Sequence, residues 1–415
     1  MVGFSEGFIA VFTNIEIIAI IAIGVFVGIY VGAIPGLSGT MAISLLVSFT
    51  FGWDVMPALA AIIGIYTGSV YGGSRAAILL NIPGAPAAIA TGFDGYPLAK
   101  RGEAGIAMGL SVTTSVIGEF FGILVLLIAA PLVSNIALKF TAQDYFILGM
   151  MGLLLVGSLS EGSLGKALIT ASIGIIIGMI GLDMFTGRPR LNFGTDLLKS
   201  EISFIPVMIG MFGLSESLLQ LRIKQAPVTQ KIGKIRPNMK LVMKNIPLTI
   251  RSSIIGTLIG ALPGTGGDIA ALIAYDNAKR TVKNPSRPFG EGAYEGVIAP
   301  ESANNAAIGG AFIPMLTIGI PGDGATAIIL GALIIHGIVP GPLFMNQRPD
   351  FFYSVVAALI VSNIFLYIFG FTGIKIFTKI VEIPKAILIP IIIVFSTVGS
   401  YAINNSIIDV YWMVF

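Results

Sequence analysis

Cysteine is absent from this chain of 415 residues, histidine occurs once, at His336, and Asp, Glu, Lys and Arg together make up only 11% of it. Without cysteine there is no disulfide framework, iron–sulfur cluster or thiol nucleophile. One histidine gives poor support to a His-based metal site or a Ser–His relay, and His336 reads as a packed or interfacial residue. The scarcity of charge excludes more. A soluble domain needs far more charge to cover its surface, whereas here 55% of residues are hydrophobic and the mean hydropathy is +0.94. Short alternating strands separated by turns are also missing, so a β-barrel is not indicated. No basic leader precedes the first apolar stretch, so no cleavable signal peptide is expected. The net charge of +3 says little about partners.

What the chain does have is long apolar runs. One helical crossing takes ~20 mostly apolar residues. Uncharged runs extend over Ile17–Trp53, Val55–Ser74, Ser302–Gly322, Ala325–Gln347, Phe351–Ile374 and Ala386–Ile408. Shorter apolar stretches lie at 145–160, 167–182, 202–215 and 252–267. Because lipid leaves no partner for bare backbone groups, these runs read as an all-α integral membrane protein. The expected architecture is a polytopic helical bundle of about 11–13 crossings or half-crossings. The 52 glycines fall largely inside apolar runs, where small residues let helices approach closely.

The only long polar stretch, residues 222–251, carries Arg222, Lys224, Lys231, Lys234, Arg236, Lys240, Lys244 and Arg251, with no acid between Glu216 and Asp268. Such a basic connector is expected to be cytoplasmic and compatible with anionic headgroups. It separates a first membrane half, 1–221, from a second, 252–415, and a nucleic-acid role beside membrane spans is not expected. The halves echo one another. Gly32-Ala33-Ile34-Pro35-Gly36-Leu37-Ser38-Gly39 has its counterpart in Gly260-Ala261-Leu262-Pro263-Gly264-Thr265-Gly266-Gly267. Asn81-Ile82-Pro83-Gly84 is echoed by Gly319-Ile320-Pro321-Gly322, each after a Gly-Gly pair, Gly72-Gly73 or Gly309-Gly310. We read a two-fold internal repeat with cores of roughly 17–135 and 247–381. Residues 1–16 lack Lys and Arg whereas the second repeat follows the basic connector, so the repeats are expected to be inverted.

Each Pro-Gly element interrupts an apolar run. Proline removes a backbone donor, glycine permits non-helical conformations, and freed backbone groups in lipid are tolerated only where they face protein or a cavity. Four discontinuous helices meeting near the midplane are therefore expected, their amides suited to carboxylate oxygens and their carbonyls to Na⁺. Candidate substrate ligands are Pro35, Gly36, Ser38 and Thr40 at the first break and Ser74, Arg75, Asn81, Pro83 and Gly84 around the second. Pro263, Gly264 and Thr265 mark the third, and Pro321 and Gly322 the fourth, with Ser302, Asn304 and Asn305 upstream. Single Ser or Thr residues in membrane helices usually bond their own backbone, but two adjacent amides are costly to bury without partners. Arg75 either clamps a substrate carboxylate bidentately or pairs with Asp268, Glu301 or Asp323 to hold the halves together. Asp268, Glu301, Asp323 and the intramembrane Glu119 are candidates for ion coupling. A Na⁺ at the breaks is possible, its ligands undefined. Gly165-Lys166-Ala167 lacks the rest of a phosphate-binding loop, so an ion gradient rather than a nucleotide is the expected drive.

At these residues the chain resembles a known family. Gly32 to Gly36, Tyr71-Gly72-Gly73-Ser74, Ile78 to Gly84 and Asp94-Gly95-Tyr96-Pro97-Leu98-Ala99 look like the large, TctA-type permease subunit of tripartite tricarboxylate transporters. So do Gly260 to Ala270, Ala299-Pro300-Glu301-Ser302-Ala303-Asn304-Asn305-Ala306 and Gly319 to Gly322. The resemblance spans almost the whole chain, with roughly 135–250 the weak stretch. It implies ion-gradient-driven secondary uptake, coupled to Na⁺ or H⁺, of citrate-like tricarboxylates and dicarboxylates. It further implies the cytoplasmic (inner) membrane of a bacterium or archaeon, a periplasmic solute-binding protein and a small four-helix membrane subunit. No cofactor and no enzymatic activity are expected. The rival reading is a passive anion channel. Two features depart from the family: Arg75 stands where a small residue is usual, and the chain stops at Tyr411-Trp412-Met413-Val414-Phe415, where the family normally continues, as if truncated.

Overall fold

The computed structural model describes residues 2–34, 37–81, 83–141, 143–144, 146–151, 164–182, 188–195, 198, 202–221, 238–373 and 385–415. It is helical, as expected. The first part holds α1 (Val2–Phe12), α2 (Ile15–Ala33), α3 (Gly39–Thr50), α4 (Val55–Leu80), α5 (Ala88–Lys100) and α6 (Ala104–Ala137). Next come α7 (Leu164–Gly178) and α8 (Phe204–Met208), which passes through a π-helical turn at Ile209–Leu214 into α9 (Ser215–Leu221). The second part holds α10 (Met239–Lys244), α11 (Ile246–Gly260), α12 (Gly266–Thr281), α13 (Glu295–Ile318) and α14 (Gly324–Ile335). It closes with α15 (Phe344–Gln347), α16 (Pro349–Thr372), α17 (Lys385–Asn404) and α18 (Ile407–Val414). Among the described residues the β-structure is one two-residue pairing, Gly181–Leu182 with Pro189–Arg190. Most of the basic connector, 222–237, lies outside the described residues, as do Pro35, Gly36 and Ile82.

Among the described residues four helices, α2, α4, α6 and α16, are long and apolar enough to cross a bilayer, and seven shorter apolar helical stretches accompany them. One succession of elements occurs twice in chain order. A helix ends at a break, a short helix follows, then a long helix, a second break and another short helix. The breaks are 34–38 and 81–87 in the first half, and 261–265 and 319–323 in the second.

Glycine sets how closely these helices pack. On α2, a methyl added to Gly24, Gly28 or Gly32 would run into the backbone of α4 at Ala61, Ile65 or Ser69. Gly64, Gly68 and Gly72 of α4 face back in the same way. In the second half Gly256 and Gly260 of α11 press on the backbone of Ala303 and Ala307 of α13, while Gly118 and Gly122 of α6 press on Ser302 and Ala306. Backbones this close gain dispersion contacts along the whole ridge, the main attraction available between helices already in lipid. Helix α13 is consequently the centre of the molecule, buried at every residue from Glu295 to Thr317.

Candidate functional site

All four breaks converge on one cavity of about 180 Å³. That is more than ten times the ~10–15 Å³ that one water requires. Its wall takes Ser38 from the first break with Gly39 and Thr40 of α3, Ala85, Pro86 and Ala87 from the second, Gly264 and Thr265 from the third with Gly266, Gly267 and Asp268 of α12, and Asp323 from the fourth with Gly324 and Ala325 of α14. Tyr66, Ser69 and Val70 of α4 and Asn304 of α13 complete it. Short helices α3, α5, α12 and α14 each begin here, so the N-terminal ends of four helix dipoles face a single space. Such ends carry partial positive charge and offer backbone donors to an anion.

The local chemistry explains why each helix starts where it does. Ser38 caps α3 by accepting from the Met41 amide at 3.1 Å. Asp323 and Thr326 form a capping box on α14, with the Thr326 amide donating to Asp323 Oδ1 at 2.7 Å. Thr265 turns its hydroxyl back onto the carbonyls of Ile259 and Leu262, closing the end of α11. The two cavity acids each tie a break of the second half to the first half. Asp268 Oδ1 accepts from the Ala87 amide at the start of α5, at 2.9 Å. The Tyr66 hydroxyl of α4 donates to Asp323 Oδ2 at 2.5 Å.

Of the residues singled out in the sequence, Ser38, Thr40, Gly264, Thr265, Asn304, Asp268 and Asp323 line this cavity. Others lie elsewhere. Arg75 is fully buried, but its Nη2 donates to the carbonyls of Phe369 and Gly370, at 2.9 and 2.8 Å, and its Nε reaches the Tyr71 hydroxyl. It is therefore neither a clamp in the cavity nor an ion-pair partner of Asp268, Glu301 or Asp323; it ties α4 to the end of α16. Asn81 is exposed and ends α4 in the left-handed conformation, with φ 57°, a position Gly319 occupies at the end of α13 with φ 74°. Asparagine and glycine are the residues that tolerate this C-cap, so backbone geometry explains Asn81 without a ligand. Asn81 and Pro83 border a separate groove against Ile89, Phe93 and Tyr96.

Gly84 sits on the carbonyl of Gly32 and the Cα of Gly73, and Gly322 on the carbonyl of Gly260 and the Cα of Ala311. These glycines seat one break against its neighbour rather than facing the cavity, and Pro263 and Pro321 also stand outside its wall. Ser302 bonds the Ile298 carbonyl of its own helix at 2.7 Å. Asn305 donates to the Glu301 carbonyl at 2.9 Å, and its own carbonyl oxygen is buried without a partner. Ser74 donates to Glu301, and Glu119 accepts from Thr67 at 2.8 Å, both away from the cavity. Sequence reasoning missed Tyr66, Ser69 and Ala85–Ala87. A tyrosine or serine inside an uncharged helical run looks like any core residue, and only the fold brings these onto the break.

The family model of the tripartite tricarboxylate transporter TctA family matches residues 18–415. A protein of Agrobacterium vitis, described as an uncharacterized 52.8 kDa protein in the TAR-I ttuC' 3' region, is 38% identical over 416 residues, covering 98% of this chain and 81% of that protein. A second Agrobacterium vitis protein, described as an uncharacterized protein in the TAR-II ttuC' 3' region, is 44% identical over 156 residues, covering 38% of this chain and 64% of that protein. No solved structure matches.

Proposed function

The chain belongs to the TctA family of tripartite tricarboxylate transporters, and on that premise we propose that it is the large permease subunit of a binding-protein-dependent importer for citrate-like tricarboxylates and dicarboxylates. The observation that carries the reading is the convergence of four helix N-termini on one cavity. Carboxylate oxygens take their hydrogen bonds from the break amides and from the hydroxyls of Ser38, Thr40 and Ser69. Among the described residues no lysine, arginine or histidine lines the cavity, and Asp268 and Asp323 do. An anion entering beside two acids meets like charge, which a co-transported cation or proton offsets. Ion-gradient-driven symport with Na⁺ or H⁺ is thus the mode that suits the site.

Two further parts of the proposal concern motion and assembly. The paired breaks, the matching left-handed caps at Asn81 and Gly319 and the matching seats of Gly84 and Gly322 support an internal repeat, inverted on the charge distribution of the flanks. Alternating access then moves one unit against the other around the cavity. A periplasmic solute-binding protein delivers the substrate and a small four-helix membrane subunit accompanies this one, in the cytoplasmic membrane of a prokaryote.

The deciding experiment is uptake of labelled citrate and a panel of C4–C6 carboxylates into cells with and without this gene. It is run with and without Na⁺, with the native binding protein present. Gene-dependent accumulation against a gradient, lost in Asp323→Asn and Asp268→Asn proteins that still reach the membrane, is expected. Uptake that only equilibrates the substrate would mean a passive pathway. No uptake of any carboxylate, with the partners present, would remove the substrate assignment.

A further inference from the structure

We propose that Glu301 and the four hydroxyls around it form a Na⁺ site between the two halves of the chain, distinct from the cavity; that this Na⁺ is the coupling ion rests on the transport reading, whereas its binding does not. Glu301 stands in the second turn of α13 with 1% of its surface exposed. Its Oε1 accepts from Ser74 and Thr91, each at 2.5 Å, and its Oε2 from Ser111 at 2.9 Å and Ser115 at 2.8 Å. The donors belong to α4, α5 and α6, so three helices of the first half close around one carboxylate of the second.

All four partners are neutral. Among the described residues no lysine, arginine or histidine forms an ion pair with Glu301, and Arg75, next to Ser74, directs its Nη2 to the carbonyls of α16 instead. A carboxylate removed from water without a countercharge is costly to keep ionised, even when fully hydrogen-bonded. What the protein does not supply, a bound cation does.

The donor set says which cation. It comprises two carboxylate oxygens and four hydroxyl oxygens, all hard ligands. A single carboxylate balances one positive charge, whereas Ca²⁺ sites gather more anionic oxygen. A second observation also points to a ligand. The Oδ1 of Asn305 is fully buried, has no hydrogen-bond partner among the described residues, and belongs to a residue four positions along α13 from Glu301, on the same face. It is a further oxygen on the face of α13 that carries Glu301. For Na⁺ to bind, the hydroxyls rotate so that their lone pairs rather than their protons face the carboxylate side, a change of rotor and not of backbone. The site also neighbours the cavity through the chain: Asn304, adjacent to Asn305, lines the cavity, and α5, which carries Thr91, starts at its wall. An ion that draws α4, α5 and α6 onto α13 therefore sets the position of two cavity walls.

The test uses the purified full chain in detergent, without substrate or partner proteins. Thermal unfolding is followed as Na⁺ replaces choline at constant ionic strength and pH. The wild type is expected to melt at rising temperature with increasing Na⁺, saturably, and K⁺ should not substitute. Glu301→Gln should abolish the Na⁺ response, and Ser115→Ala should raise the Na⁺ midpoint at least tenfold, which keeps the test open if the Gln protein fails to fold. Asp323→Asn should keep the response. A wild type that responds to pH but not to Na⁺ would assign the site to a proton and overturn the proposal. So would an unchanged response in Glu301→Gln and Ser115→Ala, or a response lost only in Asp323→Asn. Because no carboxylate substrate takes part, failure of the uptake experiment leaves this result untouched, and the reverse holds equally.

Discussion

Asp94 offers the sharpest prediction about stability. It lies within α5, is fully buried, and its Oδ1 accepts from the amides of Gly290, Gly292 and Ala293 at 2.9, 2.9 and 2.7 Å. Its Oδ2 accepts from the Tyr275 hydroxyl at 2.8 Å. Gly290 and Gly292 have φ of 90° and 101°, the left-handed conformation that lets consecutive amides turn toward one acceptor. Asp94 thus latches the α12–α13 connection of the second half onto the first. In Asp94→Ala three amides lose their acceptor. Gly290 is exposed and can turn to water, but Gly292 and Ala293 are buried. Each buried donor left unmatched costs ~1–3 kcal/mol, so the variant should lose ~2–6 kcal/mol. Asp94→Asn keeps an oxygen for the three amides and can donate to Tyr275, so its loss should be clearly smaller. Room for the carboxylate is made by Gly296, whose added methyl would overlap Asp94. Gly296→Ala should therefore destabilise the wild type, yet add little on top of Asp94→Ala. Chemical unfolding of the detergent-solubilised protein reads all four. Asp94→Ala within ~0.5 kcal/mol of wild type, or Asp94→Asn as damaging as Asp94→Ala, would refute the latch; the loss of ~2–6 kcal/mol presumes unmatched amides.

The remaining predictions follow from the same geometry. In Asn81→Gly the left-handed C-cap is kept and uptake should be near wild type, whereas Asn81→Val should lower stability by ~1–2 kcal/mol through backbone strain; uptake abolished by the glycine variant would restore Asn81 as a ligand. Gly68→Leu places a side chain on the backbone of α2 at Val25 and Ile29 and should cost at least the ~1–3 kcal/mol of overpacking, read as lower yield of folded protein on size-exclusion. Glu103, in the connection before α6, is hydrogen-bonded to Arg287 at 2.6 Å and to Tyr294, and the guanidinium holds its carboxyl below the usual carboxylate value. A lowered value means stability fully present above the unfolded carboxylate value and lost as pH falls from there through the lowered folded value, so melting should drop in acid; Glu103→Gln should flatten that part of the profile, and an unchanged profile would discount the pair.

How much of this was legible in the sequence depends on what kind of residue carried it. Membrane class and helix content follow from apolar runs, because lipid admits few other arrangements. The Pro-Gly motifs announced the breaks, and Ser38, Thr40, Thr265, Asp268 and Asp323, which stand at or beside them, line the cavity. Residues placed by tertiary approach were not. Tyr66 reaches Asp323 across 257 positions of sequence, and nothing in a helical tyrosine foretells that. Arg75 misled for the opposite reason. An arginine in an apolar run suggests a carboxylate partner, yet backbone carbonyls in the last turn of α16 can satisfy a guanidinium equally well.

The two intramembrane glutamates show why burial alone does not define a coupling residue. Glu301 and Glu119 are both buried, and both were candidates on sequence grounds. Glu301 has four hydroxyl donors shared between its oxygens, an environment made of ligands that can also turn their lone pairs to an ion. Among the described residues Glu119 has one donor, Thr67, and its second oxygen has no hydrogen-bond partner. Too few oxygens surround Glu119 to strip a metal ion of its water, so if it takes up a charge-balancing species that species is a proton. Glu119→Gln keeps the shape and the Thr67 contact while removing the titrating group. If Glu119 only fills space, uptake by this variant should keep the wild-type pH dependence. If it cycles a proton, uptake should lose its pH dependence while its Na⁺ midpoint stays fixed. A changed Na⁺ midpoint instead would mean the two glutamates act as one site, against the separation that their neighbours imply.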